Sequence, residues 1–253
     1  MKSQRVSTRE TSRFSRLKPR KSLPQSIADI VAQAIAARTL DPGTRIVETS
    51  LAAELGVSRV PVREALKILH TQGIIDGGGH RGYRIAAFSE TTVHSVQEAR
   101  IEIERLFLRE AVTCWRAGTA DPAALDAGIE VMRRAALAGE LSEMLRADVA
   151  FHTIICEAAQ NPILSMLWMA IARHVLIILN LARFRDTDLW VVVRRHEALR
   201  DQIHRLIAQP DAGDVHAILQ AHFLAKRPGR HSATVAPVSR RANRRPPLGT
   251  SQS

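Results

Sequence analysis

The stretch Thr49–Gly73, TSLAAELGVSRVPVREALKILHTQG, decides how the rest of this chain is read. Leu51, Ala52 and Leu55 fall on one apolar face of a short helix, and Gly56 follows where a left-handed residue ends a helix without steric cost. Val57 packs inward, Ser58 is placed to cap the next helix, and Pro61 lies in that helix's first turn, where its missing N–H loses nothing. Val62, Leu66 and Leu69 then recur at spacings of four and three toward a core. Arg59, Arg63 and Lys67 recur every four residues on a different face. The pattern predicts a helix-turn-helix whose second helix offers cations and a hydroxyl at its N-terminal end. Recognition helices insert that end into the major groove of DNA.

Downstream, Ile74-Ile75 and Tyr83-Arg84-Ile85 read as short strands around the glycine-rich tip Asp76–Gly82, which carries His80 and Arg81. Such a hairpin is a wing, suited to the minor groove or to a phosphate. Texture changes near Phe88. Residues 23–87 hold short elements punctuated by glycine and form the winged helix-turn-helix. Residues 89–225 are long and helical, with helices expected near 90–117, 122–138, 142–160, 162–184, 188–208 and 211–225. Asp121-Pro122 and Asn161-Pro162 each set a capping side chain before a proline at a helix start. The fold class is mainly α, a winged helix-turn-helix with a small β-hairpin followed by an all-α bundle.

Charge is informative mainly through its location. The net charge is +11, yet residues 1–22 and 226–253 each carry +7, which leaves the 203 residues between them at −3. Both tails read as disordered basic segments that add salt-sensitive, sequence-independent attraction to DNA. Aromatic residues make up only 4% of the chain, as suits packed helices better than a β-sandwich. Cys114 and Cys156 lack CxxC spacing and sit in apolar helical patterns, so free buried thiols and a cytoplasmic location are expected. The apolar run from Ile163 to Ala182 carries Arg173 and His174 at its middle. A central arginine costs about 2.5–3.5 kcal/mol on membrane insertion scales, so a bundle helix is expected there, and no membrane partner.

Asp148 and His152 stand four apart on one helical face among Val149, Phe151 and Ile155. A carboxylate and an imidazole so placed suit Zn²⁺, Mn²⁺ or Ni²⁺. Arg100 either points into the bundle to grip a carboxylate bidentately or pairs with Glu104 one turn on. An enzyme is not expected. No glutamate is followed by histidine three residues later, as a di-iron bundle needs, and HExxH, GxSxG and a P-loop are absent. A helical-bundle metalloenzyme lacks a general base here, and an architectural DNA-binding protein would leave the polar pocket unexplained.

The segment Leu40-Asp-Pro-Gly-Thr-Arg-Ile46, the run Leu51–Leu66, Gly73 and Arg81-Gly82-Tyr83 together resemble the GntR family of bacterial transcription regulators. The resemblance implies DNA contacts from Thr49, Ser58, Arg59 and Arg63, and from His80, Arg81 and Gly82 in a wing loosened by Gly77-Gly78-Gly79; the four-residue spacing adds Lys67 as a candidate on the same face. The helical part resembles the FCD ligand-binding domain, through Arg100-x-x-x-Glu104, Asp148-x-x-x-His152, Asn161 and His222. That resemblance implies a metal held by Asp148, His152 and two further histidines. His222 is one of them, and either His196 or Arg200 occupies the remaining position, with His174 and His204 in reserve. Arg100 and Arg200 are then the candidates for binding a small organic acid. In a pocket without metal, Arg200 would meet the acid directly. The implied protein is a repressor that binds operator DNA as a homodimer.

Removal of residues 1–22 or 226–253 is expected to flatten the dependence of DNA affinity on salt while leaving sequence preference unchanged. Binding titrations between low and physiological salt, on selected and random duplexes, measure both.

Overall fold

The computed structural model describes residues 22–78, 82–182, 188–209 and 213–224. His80, Arg81 and the two basic tails, apart from Ser22, lie outside them. Helix α1 (Leu23–Ala36) opens with a capping box, in which Ser22 Oγ accepts the Gln25 N–H and the Gln25 side chain accepts the Ser22 N–H. Ser22 therefore belongs to the folded chain and not to the tail in which the sequence placed it. Helices α2 (Glu48–Glu54) and α3 (Arg59–Thr71) meet at Gly56, whose φ of +64° suits glycine best.

Val62, Leu66 and Leu69 of α3 are fully buried against Ile27, Val31 and Ile35 of α1. Ser58 occupies the N-cap position of α3 with extended backbone angles, but its side chain makes no capping hydrogen bond. The cap expected from sequence is thus present in backbone conformation only, and the exposed hydroxyl is left available to other partners.

Strand β2 (Ile75–Gly77) pairs antiparallel with β3 (Tyr83–Ile85), Ile75 opposite Ile85 and Gly77 opposite Tyr83. The two-residue β1 (Arg45–Ile46) joins the other side of β3. Ile74 precedes the strand that sequence began with it. It is fully buried, and its carbonyl accepts the Ala86 N–H at 3.1 Å.

Among the described residues six helices follow: α4 (Glu90–Arg116), α5 (Ala123–Ala138), α6 (Leu141–Ala158), α7 (Pro162–Ala182), α8 (Trp190–Ala208) and α9 (Val215–Leu224). Asn161 Oδ1 accepts the N–H groups of Ile163 and Leu164, so Pro162 begins α7 as expected. Asp121 Oδ1 accepts the Ala123 N–H, and Pro122 sits one position outside α5. Phe107, Leu108, Leu125, Ile129, Met132, Phe151, Ile155 and Trp168 form the bundle core. Cys156 is buried with its thiol pKa pushed up to about 11 by desolvation, and Cys114 is half-buried; both are free. No described helix is long and apolar enough to cross a membrane. Besides packing on α3, α1 lies along α7, which joins the two halves of the chain.

Gly77 has φ +96°, and a Cβ there would stand 2.4 Å from the Gly82 carbonyl oxygen. Gly77→Ala is expected to strain the hairpin by about 1–3 kcal/mol. Hydrogen exchange should report it as faster exchange at the Gly78 amide, which donates to the Gly82 carbonyl, with α1 protection unchanged.

Candidate functional site

Two polar groupings lie outside the ordinary surface pattern, one exposed on α3 and one buried in the bundle. On α3 the inward face is closed by Val62, Leu66 and Leu69, so Arg59, Arg63 and Lys67 are left on the exposed side. Thr49, at the start of α2, and Ser58 are also exposed. Arg63 donates from Nε and Nη2 to Glu48 Oε2, both at 3.2 Å, and Arg59 Nη2 lies 4.0 Å from the same oxygen. Lys67 pairs with Glu64 at 2.9 Å. Such exposed pairs contribute little to stability and are readily exchanged for a phosphate or a base edge.

At the wing base, Arg45 stands opposite Arg84 in the sheet register, and the Arg45 guanidinium lies beside Gly82. Sequence reading singled out neither Glu48 nor these two arginines. Glu48 is fifteen positions from Arg63, and only the turn between α2 and α3 brings them together.

The buried grouping is drawn from four helices. Arg100 and Glu104 come from α4, Asp148 and His152 from α6, His196 from α8 and His222 from α9, and all six are buried. Arg100 Nε donates to Glu104 Oε1 at 2.6 Å, and Nη2 donates to Asp148 Oδ1 at 3.2 Å. Arg100 thus makes the pairing with Glu104 expected one turn along its own helix, and adds a single hydrogen bond to Asp148, a carboxylate of the protein itself. Its guanidinium lies 4.1 Å from the centre of the Phe223 ring.

His152 Nδ1 stands 2.5 Å from Glu104 Oε2, and His196 Nε2 stands 3.4 Å from Asp148 Oδ2. His196 Nδ1 lies 2.9 Å from the Val192 carbonyl, an arrangement that directs the other ring nitrogen inward. One nitrogen each from His152, His196 and His222 falls within 4.8 Å of the others, close enough for one metal ion. Burial raises the Glu104 carboxyl to a pKa of about 7, against the lowering pull of Arg100.

Between His196 and Arg200 the packing favours His196. Arg200, a candidate for the cluster by sequence, is instead engaged outside it, by Asp126 of α5 and by its neighbour Asp201. His204 is exposed. His174 sits at the joint between halves with its ring 6.5 Å from that of Phe88, and burial lowers its pKa. Sequence treated Glu104 only as a partner of Arg100, although its own carboxylate reaches His152.

Residues 23–85 match the family described as "Bacterial regulatory proteins, gntR family", and residues 95–225 match the "FCD domain". The chain is 32% identical over 188 residues to the Nta operon transcriptional regulator of Aminobacter aminovorans, covering 72% of this chain and 82% of that one. It is 26% identical over 224 residues to the probable D-xylose utilization operon transcriptional repressor of Paenarthrobacter nicotinovorans, covering 88% and 92%. Among solved structures it is similar to E. coli McbR/YncC, with a TM-score of 0.66 at 21% identity over 81% of this chain and 94% of that one. That last likeness concerns the fold.

Arg100→Met would leave Glu104 and Asp148 buried without their guanidinium and is expected to destabilise the protein by about 3–5 kcal/mol. Arg200→Ala, which removes half-exposed pairs, should cost less than about 1 kcal/mol. Denaturant unfolding of both variants checks the contrast.

Proposed function

Because the chain belongs to the GntR family of bacterial regulators, with an FCD domain behind its winged helix, we propose that it represses transcription from an operator it reads as a homodimer. It is a sequence-specific DNA-binding transcriptional regulator and not an enzyme. The observation that carries the finer reading is the pairing of an exposed cationic α3 with a buried cluster of histidines and carboxylates in the other half. One is suited to DNA and the other to a small ligand.

Arg59, Arg63, Lys67, Ser58 and Thr49 are the proposed contacts to the major groove and its phosphates, with Gly82, Arg81 and His80 at the wing. In the free protein Glu48 holds Arg63 and is exchanged for DNA on binding. One recognition helix reads only a few base pairs, so a two-fold dimer on a pseudo-palindrome doubles the site. Ile163, Met166, Leu167 and Met169 of α7 are exposed apolar side chains that support such pairing. The protein acts in the cytoplasm, where its operators are.

The cluster suits a divalent ion, Zn²⁺, Mn²⁺ or Ni²⁺, through the imidazoles of His152, His196 and His222, with Asp148, which lies 3.4 Å from His196 and is held by Arg100, as the proposed fourth ligand. Two buried carboxylates face one guanidinium there, an arrangement that favours a further cation beside them. Such an ion would supply a Lewis-acidic anchor for the carboxylate of a small organic acid. Arg100 holds Asp148 and Glu104 in place and is the proposed cationic contact for the acid. An acid bound more tightly by the arrangement that does not fit DNA releases the operator. Footprinting of a duplex selected from random DNA, with and without a panel of small organic acids, tests this reading. Protection that no acid alters would leave a regulator without this mode of release.

Arg63→Ala is expected to cost about 1–3 kcal/mol in operator binding and to relax base preference at one position per half-site. Equal loss on selected and random DNA would assign Arg63 to phosphate instead. Calorimetry with Zn²⁺ is expected to give one site per chain, weakened at least about tenfold by His222→Ala.

A further inference from the structure

Arg173, at the middle of the apolar helix α7, is largely buried, and its guanidinium engages the reading half of the molecule. Nε donates to Asp29 Oδ1 at 2.9 Å, Nη1 to Gln72 Oε1 at 3.2 Å, and Nη2 to the Gln25 carbonyl at 3.4 Å. Gln25 and Asp29 belong to α1, and Gln72 is the C-cap residue of α3. One side chain of the sensing half thus fastens both the recognition helix and the helix that backs it. Guanidinium is the group suited to this, since its planar fork offers donors in several fixed directions.

Five residues earlier on α7, Trp168 faces the histidine pocket. Its ring centre is 6.4 Å from that of His152 and 5.7 Å from that of Phe107, and Nε1 donates to Thr153 of α6 at 2.8 Å. At about 100° per residue the two side chains leave α7 about 140° apart, one toward the pocket and one toward α1. A packed helix moves as a unit, so a shift that the pocket imposes on Trp168 is delivered to Arg173.

We propose that Arg173 is the positioning residue that holds the DNA-reading half in one pose, and that α7 ties that pose to the state of the histidine pocket. This rests on reading the histidine cluster as the regulated site. It adds a route beside the direct connection from β3 into α4 through residues 86–89. Arg146 of α6, which donates to Gln33 of α1 at 3.4 Å, is a weaker exposed contact across the same joint.

The test uses the full chain and a duplex selected from random DNA by the wild-type protein. Two perturbations are applied at the pocket, saturating Zn²⁺ and Trp168→Ala, each in the wild-type and Arg173→Met backgrounds. In the wild type at least one of them should change operator affinity about fivefold or more. In Arg173→Met that change should fall below about twofold, a loss of coupling that simple destabilisation does not produce. Asp29→Asn serves if Arg173→Met does not fold, and Arg173→Lys should restore part of the response. The proposal is overturned if neither perturbation moves affinity in the wild type, or if both act equally in the two backgrounds. Zn²⁺ calorimetry on each protein reports the metal site separately. A chain that binds no Zn²⁺ but loses its Trp168→Ala response in Arg173→Met keeps the coupling and loses only the metal.

Discussion

The bundle is organised around a guanidinium buried between two carboxylates. Arg100 spans Glu104 on its own helix and Asp148 on α6, and both carboxylates in turn touch histidines, His152 and His196. Burying these groups is costly unless each is matched, so α4, α6 and α8 are held in register by polar contacts that tolerate little displacement. An apolar core of the same volume would pack as densely without selecting one register. Desolvation raises the Glu104 pKa despite the opposing pull of Arg100. A region held so tightly by charge is also one where a charged ligand has most leverage.

The reading half follows a different logic. Its α3 helix is divided between an apolar face sealed against α1 and a cationic face left to solvent. Exposed ion pairs such as those on the cationic face contribute little to stability. Glu48 keeps two arginines at one spot, through exposed contacts at 4.0 and 3.2 Å.

Between the halves, α7 combines opposed features. It is apolar enough in sequence to raise a membrane question, yet it carries an arginine at its centre. The packing resolves this: Trp168 and Val175 are buried in the bundle, while Arg173 is spent on polar groups of the reading half. Mid-helix charge in an apolar run marks a joint here.

The sequence alone determined what depends on neighbours within a turn or two. The helix-turn-helix, the sides of α3, the Asn161 cap before Pro162 and the shared face of Asp148 and His152 all follow from spacings of three and four, which the helix geometry imposes directly. Other features waited on tertiary structure because their partners are distant in the chain. Asp148 lies 48 positions from Arg100, and Asp29 lies 144 from Arg173, so no local periodicity links them. The choice of His196 over Arg200 was equally closed to sequence. Both lie on one face of α8, and only the packing of α8 against α5 and α9 decides which is drawn into the pocket and which is left to Asp126.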